Sequence, residues 1–344
     1  PNLQRIVGER PGKTGPVIVG AYTDPDAPSS AAPILRSDFI GSGGIITVNN
    51  TDDWRFMDLH VQGRSTVRGE ADGGFSTSAG SDILALRLEI DSVGANAFGN
   101  GATDGFFVFD CDLHDFSAYG IFTTANRFAF VGTTIRRLHG GEHCIRVASG
   151  TRSFIAFNDF ATEYCKSSIQ IRGKGSVTTN DRAVVYANRL DRVMGFNPQN
   201  DQSEEYISHC VAEGNFFHPT LYDSGFSPGY TAVNVSARHV AVRNNLIYNI
   251  VRGVTVGPHV LAGTPEDVNV YNNTFYGTAR TDAGHRLLGA NGLDITCRNN
   301  IFYTEATVSW AKVIGMSTAS ELTADNNLYW APNLDASWEP FTAD

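Results

Sequence analysis

The sequence predicts an all-β chain wound as a right-handed parallel β-helix, a single-domain solenoid of about eleven coils spanning residues 1–344. Three observations lead there. An asparagine recurs at near-constant spacing, a short alternating β-run precedes each copy, and no long 3.6-residue period competes with them.

The recurring element is Asn followed two residues later by a large apolar side chain. It stands at Asn158-Asp-Phe160, Asn188-Arg-Leu190, Asn215-Phe-Phe217, Asn245-Leu-Ile247, Asn273-Thr-Phe275, Asn300-Ile-Phe302 and Asn327-Leu-Tyr329, with steps of 30, 27, 30, 28, 27 and 27 residues. Runs such as Phe154-Ile-Ala-Phe157, Ala183-Val-Val-Tyr186 and His239-Val-Ala-Val242 precede the bend. Strand, Asn at the bend, then another strand is one coil. Coils stack about 4.8 Å apart, so amides at one position can bond up the stack as an Asn ladder. Toward the N-terminus the Asn disappears while the strands continue: Trp54–Leu59, Ile83–Leu88, Phe107–Leu113 and Phe128–Ile135. An opening coil and cap is expected over 1–40, around Pro16–Tyr22, and a C-terminal tail over 328–344. A second strand set, including Gly120-Ile-Phe-Thr, Cys144-Ile-Arg-Val and Ser168-Ile-Gln-Ile, follows in each coil. Segments 194–206 and 218–230 break the rhythm as Gly/Pro-bearing loops, and such insertions gather on one face of a solenoid.

Composition narrows the class. With 42% hydrophobic and 18% charged residues, the chain is folded, and its 35 glycines suit many tight turns. No apolar run reaches the roughly eighteen residues that span a bilayer, so no membrane span is expected. The chain begins at Pro1, which suggests a processed or truncated N-terminus. None of the five cysteines has metal-ligand spacing, so they are expected as buried thiols. A net charge of −10 argues against nucleic acid as a partner. Residues 127–192 nevertheless carry eleven basic groups against five acidic ones, a local surplus suited to an anionic ligand.

Strand parity turns that surplus into a candidate site. With Ile145 and Val147 inward, Arg146 points outward; with Ile169 and Ile171 inward, Gln170 and Arg172 point outward; Asn234 takes the same column between Val233 and Val235. The expected stripe is Arg146, Gln170, Arg172 and Asn234, flanked by His143, Lys166 and Lys174, with Tyr222 and Tyr230 supplied by the second loop. Such groups hold carboxylate or sulfate. By parity His143 goes inward with Ile145 unless the strand begins after it.

The coils and asparagines resemble secreted right-handed β-helix polysaccharide lyases of the chondroitinase B and alginate lyase type, at fold level over the whole chain and at residue level over about 141–174. The resemblance implies β-elimination on an acidic, uronate-containing polysaccharide or oligosaccharide, and a secreted, periplasmic or cell-surface location. A base removes the C5 proton once the neighbouring carboxylate charge is offset by Arg, an amide or Ca²⁺, and a second group protonates O4. Carried over, Lys166 or His143 is the base, Arg146 and Arg172 neutralise the carboxylate and donate the proton, and Gln170 and Asn234 bind sugar. No run of Glu ligands for Ca²⁺ is present, and Ser149 to Thr151 stand where the family's lysine is expected. A glycoside hydrolase needs converging carboxylates, of which Asn50-Thr51-Asp52 is only a first element. The Asp-Pro-His motif of mannuronan epimerases is absent, with His114-Asp115 its only faint echo. A noncatalytic glycan-binding or tailspike-like solenoid uses the same fold.

Overall fold

The computed structural model describes residues 6–8, 16–21, 32–37, 43–68, 73–162, 165–173, 180–198, 207–218, 231–258, 264–277, 286–305, 312–316, 320–333 and 341–343. Their regular structure is all β, the strands pair in parallel, and the chain divides into two compact units, Pro1–Ser167 and Ser168–Asp344. No helix among the described residues is long and apolar enough to cross a membrane.

In the first unit each complete coil has three faces, one more than the repeat alone suggests. Ile121–Thr123 forms the first, Arg127–Val131 the second and Thr134–Leu138 the third, before Ile145–Val147 begins the next coil. Registers run straight up the stack: Ile121 opposite Ile145, Phe130 opposite Ile155, Ile135 opposite Phe160. Alternation sends these side chains inward, where all are fully buried. Each such burial contributes about 1.5–3 kcal/mol relative to an exposed side chain. The opening strand Val17–Gly20 pairs with Trp54–Met57; Tyr22 lies outside the described residues.

The bend between second and third faces explains the repeat. A left-handed residue precedes each corner side chain: Phe157 before Asn158, Ala187 before Asn188, Gly214 before Asn215, and Asn244, Asn272, Asn299 and Asn326 before the four later asparagines, all buried except the half-buried Asn327. The Asn-Asn pairs thus divide two tasks. The first tolerates the left-handed backbone, and the second buries its amide.

In the second unit these amides bond in series. The Nδ2 of Asn188, Asn215, Asn245, Asn273 and Asn300 each donates to Oδ1 of the next asparagine at 2.9–3.1 Å, and the backbone N–H of each does the same. Each Nδ2 from Asn215 onward also reaches a backbone carbonyl one coil back, such as Asn245 to Ala212. In the first unit other polar atoms do this work. Asn158 Oδ1 accepts from Thr133 N–H, Thr133 Oγ1 from Cys111 N–H, and Cys111 Sγ from Leu88 N–H. The asparagine fades from the sequence because a hydroxyl and a thiol replace it.

Two outcomes follow from these corners. Asn245→Ala removes the acceptor of two Asn215 donors and the donor to the Ala212 carbonyl, all buried; at roughly 1–3 kcal/mol per orphaned group, partly relieved by water, a loss of about 3 kcal/mol is expected in chemical denaturation. All five cysteines are free and buried, and burial raises the Cys111, Cys210 and Cys297 thiols to about 12. An aromatic disulfide reagent at neutral pH should therefore titrate no thiol in the native protein and five in denaturant.

Candidate functional site

On the first face of the first unit, Arg146 sits opposite Phe122 and projects outward between fully buried Ile145 and Val147. Its Nη1 donates to the Tyr119 hydroxyl at 3.1 Å, and its guanidinium carbon lies 5.9 Å from the Tyr119 ring centroid and 5.6 Å from that of Phe122. Its Nε is buried and has no hydrogen-bond partner, and no carboxylate pairs with it among the described residues. A guanidinium held by a phenol and two ring faces keeps its charge uncompensated, the condition for attracting an anion.

Around it stands a short network. The strand begins at Ile145, so His143 belongs to the preceding turn; it is buried, its Nδ1 meets Ser167 Oγ at 2.5 Å, and its ring stacks on Tyr119 at 6.1 Å. Lys166 Nζ donates to Glu142 Oε2 at 3.1 Å, with Arg68 at 3.7 Å from the other oxygen. An ion-paired ammonium offers charge and donors, not a lone pair. Burial opposes the charged form of Glu142, but the Lys166 bond and charge, His143 and the Tyr119 hydroxyl outweigh it and hold this carboxyl below the usual glutamate range.

Elsewhere part of the basic surplus of 127–192 is absorbed. Arg127 pairs with Asp82 and Asp104, Arg136 with Asp112 and Arg137 with Asp115, carboxylates that lie one or two coils earlier in the stack. Counting charges within a sequence window misses them, because partners in a solenoid sit a full coil away.

The second unit places the remaining expected residues on its own first face. Gln170 is in register with Gly195, Gly195 with Asn234, and Asn234 with Thr255. Asn234 and Arg172 are half-buried. Gln170 is not the surface group that parity suggests: it is only 5% exposed. Gly195 opposite it carries no side chain, and the amides of Gln170 and Asn197 close over it; a Cβ there would lie 2.9 Å from Gln170 Nε2 and 2.7 Å from Asn197 Nδ2. Gln170 Nε2 and Asn197 Oδ1 are buried without partners. Lys174, Tyr222 and Tyr230, with most of both expected loops (199–206 and 219–230), lie outside the described residues.

Sequence reasoning missed Tyr119, although a signal existed. Tyr119 and His143 each stand two residues before a first-face strand whose starts, Ile121 and Ile145, are in register, so they meet across coils. It also missed a group of imidazoles and carboxylates on the third face, where His60, Glu89 and Asp91 come together.

Because Glu142 titrates lower folded than unfolded, its ion pair contributes stability above its unfolded value near 4.5 and loses it as pH falls through the lower folded value. Glu142→Gln is therefore expected to cost about 0.5–1 kcal/mol near neutral pH, a modest figure because Lys166 is solvent-screened. Denaturation curves of the two proteins should converge only as pH falls through that lowered folded value, where the wild-type carboxylate is protonated too.

No protein-family model matches the chain, and no curated protein matches it in sequence. Among solved structures, the A-module of a mannuronan C-5 epimerase from Azotobacter vinelandii is similar with a TM-score of 0.56 at 10% identity, over 91% of this chain and 90% of that one. A GH136 lacto-N-biosidase from Eubacterium ramulus gives a TM-score of 0.54 at 13% identity, over 96% of this chain and 60% of that one. At these identities the likeness is one of fold: the chain is a parallel β-solenoid.

Proposed function

We propose that this chain is a secreted or surface-exposed protein that acts on an acidic, uronate-containing polysaccharide by β-elimination, with Arg146 at the centre of its site. The observation that carries the reading is the guanidinium itself: outward, set on Tyr119 and Phe122, and lacking a carboxylate among the described residues. Such a group offsets a uronate carboxylate, while the adjacent rings offer an apolar surface to a sugar.

The chemistry needs little more. With the carboxylate charge offset, the C5 proton is removed and its electrons form the C4–C5 double bond. The C4–O bond then breaks, and the departing O4 takes a proton. His143 and Tyr119 are titratable groups of the network around Arg146, and we assign the proton transfers to them, with His143 as the base. Lys166 keeps a supporting charge through Glu142. Asn234 and Arg172 are proposed as sugar contacts on the second unit's own first face, with the buried Gln170 beneath them as a support, and Ca²⁺ would be a supplement to Arg146. The names of the two similar structures, an epimerase of mannuronan and a glycosidase, support a glycan as the substrate class.

The test is ultraviolet absorbance of the unsaturated uronate, on a panel of alginates, glycosaminoglycans, pectins and bacterial exopolysaccharides, with and without EDTA. Wild type should produce the signal. Arg146→Ala should lower kcat/KM by about 100-fold or more, about 2.7 kcal/mol of transition-state stabilisation. New reducing ends without absorbance would make the protein a hydrolase. Neither signal, with retained binding, would make it a noncatalytic glycan-binding solenoid.

A further inference from the structure

The third face of the first unit carries chemistry that the polysaccharide reading does not use. On it Val61, Ile90 and Leu113 point inward and are fully buried, so His60, Gln62, Glu89, Asp91 and His114 project to the other side. Register stacks His60 on Glu89, Gln62 on Asp91, and Asp91 on His114. The imidazole of His60 lies between two carboxylates: Nε2 bonds Asp91 Oδ2, and Nδ1 is 3.8 Å from Glu89 Oε2. One ligand atom from each of His60, Glu89 and Asp91 falls within a sphere where all pairs are under 4.8 Å apart. His114 adds a second imidazole, its Nε2 3.2 Å from Glu89 Oε1.

We propose that His60, Glu89 and Asp91 form a binding site for a divalent transition cation of the Zn²⁺ class, with His114 as the neighbouring fourth donor. One or two imidazole nitrogens with two carboxylate oxygens is a donor set that suits Zn²⁺ and its first-row neighbours; Ca²⁺ prefers oxygen alone. Charge points the same way, since two carboxylates beside neutral imidazoles balance a dication. Outer contacts to hold the donors are present. Gln62 Nε2 donates to Asp91 Oδ1 at 3.4 Å, and Asp115 Oδ2 lies 2.8 Å from His114 Nδ1, which also faces Arg137 Nη2 at 3.0 Å. Second contacts of this kind fix the orientation of ligating imidazoles and carboxylates. The burial of Asp91, only 5% exposed, gives a cation more to gain there than at a solvated cluster.

The competing account is a chain of cross-coil ion pairs with charged imidazoles, and calorimetry separates the two. The full chain, treated with EDTA and dialysed, is titrated with ZnCl₂, then separately with MnCl₂ and CaCl₂, and each mixture is melted. One Zn²⁺ per chain and a raised Tm are expected, with Ca²⁺ at least 10-fold weaker. Glu89→Gln, on a half-exposed side chain, should keep the fold and weaken Zn²⁺ binding by 10-fold or more, and His60→Ala should abolish it. No binding heat and no Tm shift, binding undiminished in both variants, or Ca²⁺ binding as tightly as Zn²⁺ would each overturn the proposal. This outcome is independent of the lyase assay, because the site and that reading share no residue.

Discussion

Everything in this molecule depends on vertical register: a residue in one coil lies on its counterpart in the next, one strand spacing away. Among the described residues that constraint converts sequence distances of 21 to 40 residues into direct contact, as the register of Val233 with Val254 and of Ile6 with Ile46 shows at its two ends. It also makes burial cooperative, because each corner's polar atoms are satisfied only by the coils above and below. The left-handed backbone at the bend exposes N–H and carbonyl groups to the interior, and the stacked amides are what makes that bend tolerable away from water.

The part of the fold legible in the sequence is the part that repeats chemically. Asn158 to Asn327 announce their coils because an amide, as donor and acceptor at once, does the corner's work best where several stack. Thr133 and Cys111 do the same work with a hydroxyl and a thiol, so the period there is one of position and not of residue type. The three-faced coil was half legible. Third-face strands such as Arg189–Leu190 and Phe216–Phe217 are two residues long, too short to show an alternation of their own.

The site was legible one residue at a time, and its couplings were not. Parity alone places Arg146 outward, and the structure agrees. Parity does not predict the burial of Gln170, because exposure depends on the opposite residue: Gly195 has no side chain, and the amides of Gln170 and Asn197 lie where its Cβ would stand. Charge counting fails for a related reason. Arg127, Arg136 and Arg137 meet carboxylates from earlier coils, so part of the apparent basic zone is already neutralised.

What survives this neutralisation is more informative than the original surplus. In a stack where cross-coil pairing is so easy, a cation left without a carboxylate marks a position where the next coil supplies something else. At Arg146 that something is a tyrosine hydroxyl and two aromatic faces, which orient the guanidinium without discharging it. On the third face the imbalance has the opposite sign, with Glu89 and Asp91 closing on an imidazole. One unit thus carries opposite imbalances on two of its faces, a guanidinium without a carboxylate on the first and two carboxylates about an imidazole on the third. The same register produces both, because each column can be given its own charge without disturbing the buried column that alternates with it.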